Sequence, residues 1–225
     1  MKKLSYIGFD LDGTLVDSHK AIYDCLKYTI PKYADIDVSK IIDTVFPLTL
    51  DQFPNYIDFV SKKDFLEFKI FFIESFDEIY YKKVSIIDGA IKTLDFCMNK
   101  YGNENIFILT NRRNKSAIQI CNYLGITDII STKNIYSTIN DGSKNPKLNS
   151  MSNIVSKYSN SLEGYYVGDS AIDIESAISN RLLPLYISKK KDDTNISVFN
   201  LKLGYNLFHD IVDIINVLEK LTTKK

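Results

Sequence analysis

"YIGFDLDGTLVDS", residues 6–18, runs from an apolar stretch straight into two aspartates two positions apart. Phe9 precedes Asp10, Leu11 separates it from Asp12, and Gly13-Thr14 follow at once. Paired negative charges at the end of a buried-looking strand cost free energy twice, through desolvation and through mutual repulsion. Either they lie in a solvated turn, or something positive binds there. The rest of the chain decides between these.

Working outward, three further apolar runs end in a polar residue as the first one (4–9) does. Residues 106–109 lead to Thr110 and Asn111, 165–167 lead to Gly168-Asp169, and 182–187 lead to Ser188. Continuous rather than alternating apolar runs fit parallel strands covered on both faces. Helical patterns lie between them. One spans 116–124, with Ala117, Ile118, Ile120, Cys121 and Leu124 on one side and Gly125 as its stop. A second carries Met151, Ile154, Val155 and Tyr158, and a final one covers 210–221. Strands alternating with helices predict an α/β fold, a Rossmann-like parallel sheet.

The alternation breaks between residues 17 and 88, which hold 14 of the 28 Phe and Tyr residues. Phe65, Phe68, Phe72 and Phe76 recur at helical spacing behind Ser61, a suitable N-cap. No strand run is visible there. The segment reads as a helical insert with its own small core, placed after the first strand. The expected division is 1–16 and 89–225 for the core and 17–88 for a helical cap domain.

Composition narrows the function classes. The 28 basic and 28 acidic residues balance, so no overall field favours nucleic acid or an anionic membrane. Apolar runs fall far short of the ~18 residues that span a bilayer. Cys25, Cys97 and Cys121 are far apart and sit in apolar patterns, which suits buried thiols in a reducing cytoplasm. The expectation is a cytoplasmic protein, a monomer or dimer, with no nucleic-acid or membrane partner.

In an open α/β sheet, ligands bind beyond the carboxyl ends of the strands. Asp10, Asp12, Thr110, Asn111, Asp169 and Asp173 therefore converge if the fold is right. Four carboxylates in one cleft call for a hard cation, and an all-oxygen site suits Mg²⁺. Mg²⁺ beside a carboxylate, a hydroxyl and a lysine is equipment for phosphoryl transfer. One aspartate can attack phosphorus while its neighbour serves as acid and base. His19, where the chain leaves the core, is a possible substrate contact or a solvated helix-start residue, and His209 reads as a surface residue. Arg112 and Arg113 are candidates for anion binding or for solvated positions.

"FDLDGTLVDS", "IFILTN" and "VGDSAID" resemble, in order and spacing, three motifs of the haloacid dehalogenase-like hydrolase superfamily. The resemblance covers nearly the whole chain. It implies Asp10 as nucleophile, Asp12 as acid/base, and Mg²⁺ held by Asp10, the Asp12 main-chain carbonyl and Asp169. Asp173 would support the metal from behind or through water, and Thr110 would bind the phosphoryl group. The family's lysine has two candidates: Lys144, in a K-x-P context, and Lys147, just ahead of the helix that carries Met151. The run Asp141-Gly142-Ser143-Lys144 followed by Lys147 is similar to a form seen in phosphoglycolate phosphatase-like members, which favours Lys147. "TVFPLTLDQF" resembles a specificity segment of phosphoglycolate phosphatase- and pyrophosphatase-like members, with Val45 where Gly is usual. The implied activity is hydrolysis of a small phosphorylated metabolite, phosphoglycolate-like, through an aspartyl-phosphate. The alternatives are a β-phosphoglucomutase-type mutase, a pyrophosphatase, or a non-catalytic binding protein. Dehalogenation fits less well, since a halide needs neither an acid nor a metal to leave.

Overall fold

The computed structural model describes residues 5–46, 48, 50–139, 145–158, 163–188 and 206–223. Its centre is a six-stranded sheet. The strands are β1 (Tyr6–Phe9), β4 (Ile106–Thr110), β5 (Ile135–Ser137), β6 (Gly164–Gly168), β7 (Leu183–Ile187) and β8 (Asn206–Phe208). Their order is β5-β4-β1-β6-β7-β8, and every pairing is parallel. The four apolar runs read from the sequence are strands β1, β4, β6 and β7. The edge strands β5 and β8, three residues each, were not legible, because so short a run carries no periodicity.

Both faces of the sheet are covered, which is why the strands read as unbroken apolar runs. Ile7, Phe9, Ile106, Ile108, Tyr165 and Val167 pack on one side. Tyr6, Phe107, Leu109 and Tyr166 pack on the other, against Met151 and Ile154. Period-two alternation thus sorts each strand between two apolar clusters.

The helices are α1 (His19–Thr29), α2 (Val38–Val45), α3 (Lys62–Glu78), α4 (Ala90–Tyr101), α5 (Asn114–Tyr123), α6 (Pro146–Val155), α7 (Ala171–Ser179) and α8 (Asp213–Thr223). Ser61 caps α3, its hydroxyl accepting from the Asp64 N–H at 3.2 Å. Gly125 follows α5 at φ +74° in the left-handed region, where a β-carbon is disfavoured. The last helix begins three residues later than expected, at Asp213. Among the described residues, no helix is long and apolar enough to cross a membrane.

Helices α1, α2 and α3 fill the stretch after β1, with two differences from expectation. A two-stranded antiparallel ribbon, β2 (Val16–Asp17) with β3 (Ser85–Ile86), closes the base of the stretch, so it is not strand-free. Two-residue strands exist only through their pairing and leave no sequence pattern. The second difference concerns the core. The rings of Phe53, Phe68, Phe72 and Phe76 pack in series at centroid distances of 5.9–6.2 Å. They join the apolar cluster beneath the sheet rather than forming a separate one.

Candidate active site

β1 lies between β4 and β6, where the chain's direction of winding reverses. A crevice opens beyond the strand ends at such a point. Asp10 stands there, its N–H still donating to the Val167 carbonyl at 2.8 Å, so its backbone is held by the sheet. The chain then turns tightly, with the Gly13 N–H donating to the Val16 carbonyl at 2.8 Å. Gly13 has φ +86°, and a β-carbon there would meet Asp169 Oδ2 at 1.9 Å. Glycine is required because it lets Asp169 close on the aspartate turn.

Asp169 and Asp173 come from the end of β6 and the first turn of α7. Ser170 and Asp173 form a capping box: the Ser170 hydroxyl donates to Asp173 Oδ2 at 2.6 Å and accepts from the Asp173 N–H at 3.2 Å. Gly168 makes room, since a β-carbon would lie 2.4 Å from Asp173 Cβ. Carboxylate oxygens of Asp10, Asp169 and Asp173 then all lie within 4.8 Å of one another.

Lys147 answers this negative cluster. It lies in the first turn of α6, inside the helix rather than ahead of it, behind Pro146 and the cap Asn145. Its side chain is 3% exposed, and its Nζ donates to Asp10 Oδ1 at 2.8 Å and to Asp173 Oδ1 at 2.6 Å. Burial works against its charge, but Asp10 and Asp173 outweigh it and hold the ammonium well above the ordinary lysine range. Asp10 is pushed up to about 7, chiefly by burial, with Lys147 opposing and Asp173 adding to the rise. The competing candidate, Lys144, lies outside the described residues.

Asp12 has a different partner. Arg112 Nε donates to its Oδ2 at 3.0 Å, Arg112 Nη2 donates to its Oδ1 at 2.6 Å, and the Ser18 hydroxyl also donates to Oδ1. Burial alone would raise this carboxyl, but Arg112 and Ser18 overcome it and hold Asp12 below the usual range. Its side chain is not part of the three-carboxylate cluster, which leaves its main-chain carbonyl for a cation. The Arg112 guanidinium sits 4.7 Å over the Phe76 ring of α3. Sequence reading offered Arg112 only as an anion binder or a solvated residue. At 11% side-chain exposure it is neither solvated nor unpaired. Its place beside Asn111 was the available signal, but the 100-residue separation from Asp12 hid the pairing.

The other sequence candidates also find places. Thr110 is buried at the end of β4, its hydroxyl oxygen accepting from the Arg112 N–H at 3.1 Å, so its own proton is left to donate. Asn111 lines the crevice with a buried, unpartnered Oδ1. Arg113 pairs with Asp77 of α3 at 2.8 Å. His19 is half exposed, faces Asp43 at 3.2 Å and packs beside Phe46. His209 is exposed, with Nδ1 3.0 Å from the Ser188 carbonyl. The three cysteines are buried free thiols, each pushed up to about 12 by burial.

Comparisons with known proteins agree with this architecture. The model of the haloacid dehalogenase-like hydrolases matches residues 7–182. No curated protein sequence matches the chain. A haloacid dehalogenase-like hydrolase of Streptococcus pneumoniae superposes with a TM-score of 0.74 at 19% identity, over 96% of this chain and 98% of that one. A candidate phosphoglycolate phosphatase of Lactobacillus plantarum gives 0.72 at 16%, over 95% and 99%. A family hydrolase of Deinococcus radiodurans, solved with phosphate and sodium, gives 0.66 at 17%, over 99% and 98%. At these identities the likeness is one of fold. With the matched motif span and the convergent carboxylates, the chain belongs to the haloacid dehalogenase-like hydrolases.

Proposed function

We propose that this hydrolase is a Mg²⁺-dependent phosphatase of a small phosphorylated metabolite, working through an aspartyl-phosphate on Asp10. The observation that carries the reading is the Asp10–Lys147–Asp173 arrangement, with Lys147 2.8 Å from Asp10 and Asp169 beside it. A carboxylate is held at a strand end between a fixed cation and an acidic cluster. That is the environment in which a phosphoryl dianion can approach an anionic nucleophile.

The donor set fits a hard cation: three carboxylates with oxygens mutually within 4.8 Å and no sulfur or imidazole among them. Asp10, Asp169 and the Asp12 main-chain carbonyl would hold it, with Asp173 behind. When bound, the metal neutralises part of the charge on the phosphoryl oxygens.

The residues of the chain divide the remaining work. An Asp10 carboxylate oxygen bonds to phosphorus as the ester P–O bond breaks. The departing alcohol oxygen takes a proton from Asp12. Arg112 keeps Asp12 ionised in the resting arrangement, so Asp12 first takes that proton from solvent as the fork loosens, and it returns a proton to solvent at the end of the cycle. Water then attacks phosphorus, Asp12 accepts a proton from it, and the P–O bond to Asp10 breaks to free the carboxylate and inorganic phosphate. Lys147 balances charge shared between Asp10 and the phosphoryl group, and Thr110 donates its hydroxyl proton to a phosphoryl oxygen. The helices α1–α3 over the cleft exclude bulk water. Phosphoglycolate belongs to this substrate class, and the resemblance of residues 44–53 to a specificity segment suggests it. A mutase would use the same groups and return the phosphoryl group to a sugar.

The test is phosphate release from a panel of phosphorylated metabolites, with Mg²⁺ and with chelator, by the wild type and by Asp10→Asn. Release that needs Mg²⁺ and vanishes in Asp10→Asn, with circular dichroism unchanged, is the expected result. Retained turnover in the variant would refute the mechanism, and an isomerised sugar phosphate without free phosphate would favour the mutase.

A further inference from the structure

The cavity above the site is far larger than a two-carbon acid needs. It measures about 920 Å³ and extends from Asp10 to the insert, within the range of about 300–1,000 Å³ that holds drug-sized ligands. Phe46, Leu48, Leu50, Phe72, Ile73 and Phe76 make much of its outer wall. An apolar wall of this extent gains from burying an apolar body and offers nothing to a charged one.

The charges along the wall point the same way. Among the described residues lining this cavity, the basic side chains are Lys69, Arg112, Arg113 and Lys147. Each already faces a carboxylate of the chain: Lys69 pairs with Asp51 at 2.5 Å, Arg113 with Asp77 at 2.8 Å, Arg112 with Asp12 and Lys147 with Asp10. On the outer side, Asp51 holds Lys69 and Asp77 holds Arg113, while Asp43 adds a third carboxylate that faces His19. A second anion on the substrate would have to displace one of these aspartates from its partner. It would then sit beside the displaced like charge, in a partly enclosed space where repulsion is poorly screened.

We infer that the ester's alcohol portion carries no second negative charge and has an apolar body larger than a two-carbon acid. This rests on the phosphatase reading and narrows it away from phosphoglycolate. The body lies against the aromatic and aliphatic wall, while the phosphoryl group alone engages Lys147 and the acidic cluster.

The experiment compares kcat/KM for benzyl phosphate and phosphoglycolate on the full-length wild-type protein with Mg²⁺, using p-nitrophenyl phosphate as a general phosphatase probe. Benzyl phosphate has an uncharged apolar body and, like phosphoglycolate, an unactivated alcohol, so leaving-group chemistry does not favour it strongly. A preference of at least 10-fold for benzyl phosphate is expected. Equal or better use of phosphoglycolate would overturn the inference and leave the phosphatase standing. No phosphate release from any of the three would remove the phosphatase reading itself, and this inference with it.

Discussion

Two carboxylates two residues apart, Asp10 and Asp12, are each held by a cation, but the two halves of the site are built differently. The Asp10 half consists of sheet ends and the first turns of α6 and α7. Lys147 is buried there between Asp10 and Asp173 at 2.8 and 2.6 Å, and nothing in that set comes from the insert. The Asp12 half is shared: Arg112 forks onto Asp12 from the core side and rests on Phe76 of α3 at 4.7 Å. The first half is fixed by the sheet and two helix starts. The second depends on where the insert lies. Under the proposed mechanism this difference is a division of labour, with phosphoryl binding assigned to the sheet ends and helix starts and acid–base control coupled to the helices over the cleft.

Removing Lys147 should have the largest effect and would break the comparison if it did not. Lys147→Ala leaves Asp10 and Asp173 buried without their cation, and electrostatic stabilisers of this kind are worth about 10²–10³ in rate. A loss of at least ~10²-fold in kcat/KM is expected, with a lower melting temperature, because unpaired buried charges are costly. Lys144→Ala should cost much less. Steady-state kinetics on both variants decide it, and the reverse order would give the phosphate-binding role to Lys144.

Arg112→Ala comes next and tests the acid–base half. Losing the fork frees the Asp12 carboxylate to adopt other orientations, so kcat/KM for alkyl phosphates should fall by about 10-fold, part of the 10²–10⁴ that general acid catalysis supplies. p-Nitrophenyl phosphate, whose leaving group departs without a proton, should be affected much less. Equal losses on both substrates would mean that Arg112 binds the phosphate rather than positioning Asp12.

The smallest effect belongs to the rim. Arg113 and Asp77 join α5 to α3 at 2.8 Å, but the Arg113 side chain is 43% exposed. Such pairs contribute about 0–1 kcal/mol, so Arg113→Ala should shift the melting temperature by a few degrees at most and change kcat/KM by less than ~3-fold. A large kinetic effect would show that this pair, and not the Arg112–Phe76 contact, couples the insert to the chemistry.

Much of the Asp10 half was legible in the sequence because its information is local. A strand run that ends in D-x-D-G-T places both aspartates at a sheet end. The structure shows the local devices behind it: Gly13 in the left-handed region and the Ser170–Asp173 cap at the start of α7. Sequence reading sets Lys147 just ahead of a helix, and the structure places it in the first turn of α6 behind Pro146 and the cap Asn145. Each feature depends on neighbours within a few positions, where periodicity, capping and backbone restriction act.

What the tertiary structure alone decided is the pairing of residues far apart in the chain. Arg112 reaches Asp12 across 100 positions, Phe76 meets Arg112, and Val16–Asp17 pairs with Ser85–Ile86. The aromatic stripe of α3 was visible as a helix face, but not its merger with the apolar cluster under the sheet. Side-chain ion pairs and two-residue strands have no period and no cap, so a linear pattern cannot encode them. They come into being only when packing brings distant segments within a few ångströms and removes the water that would otherwise satisfy them.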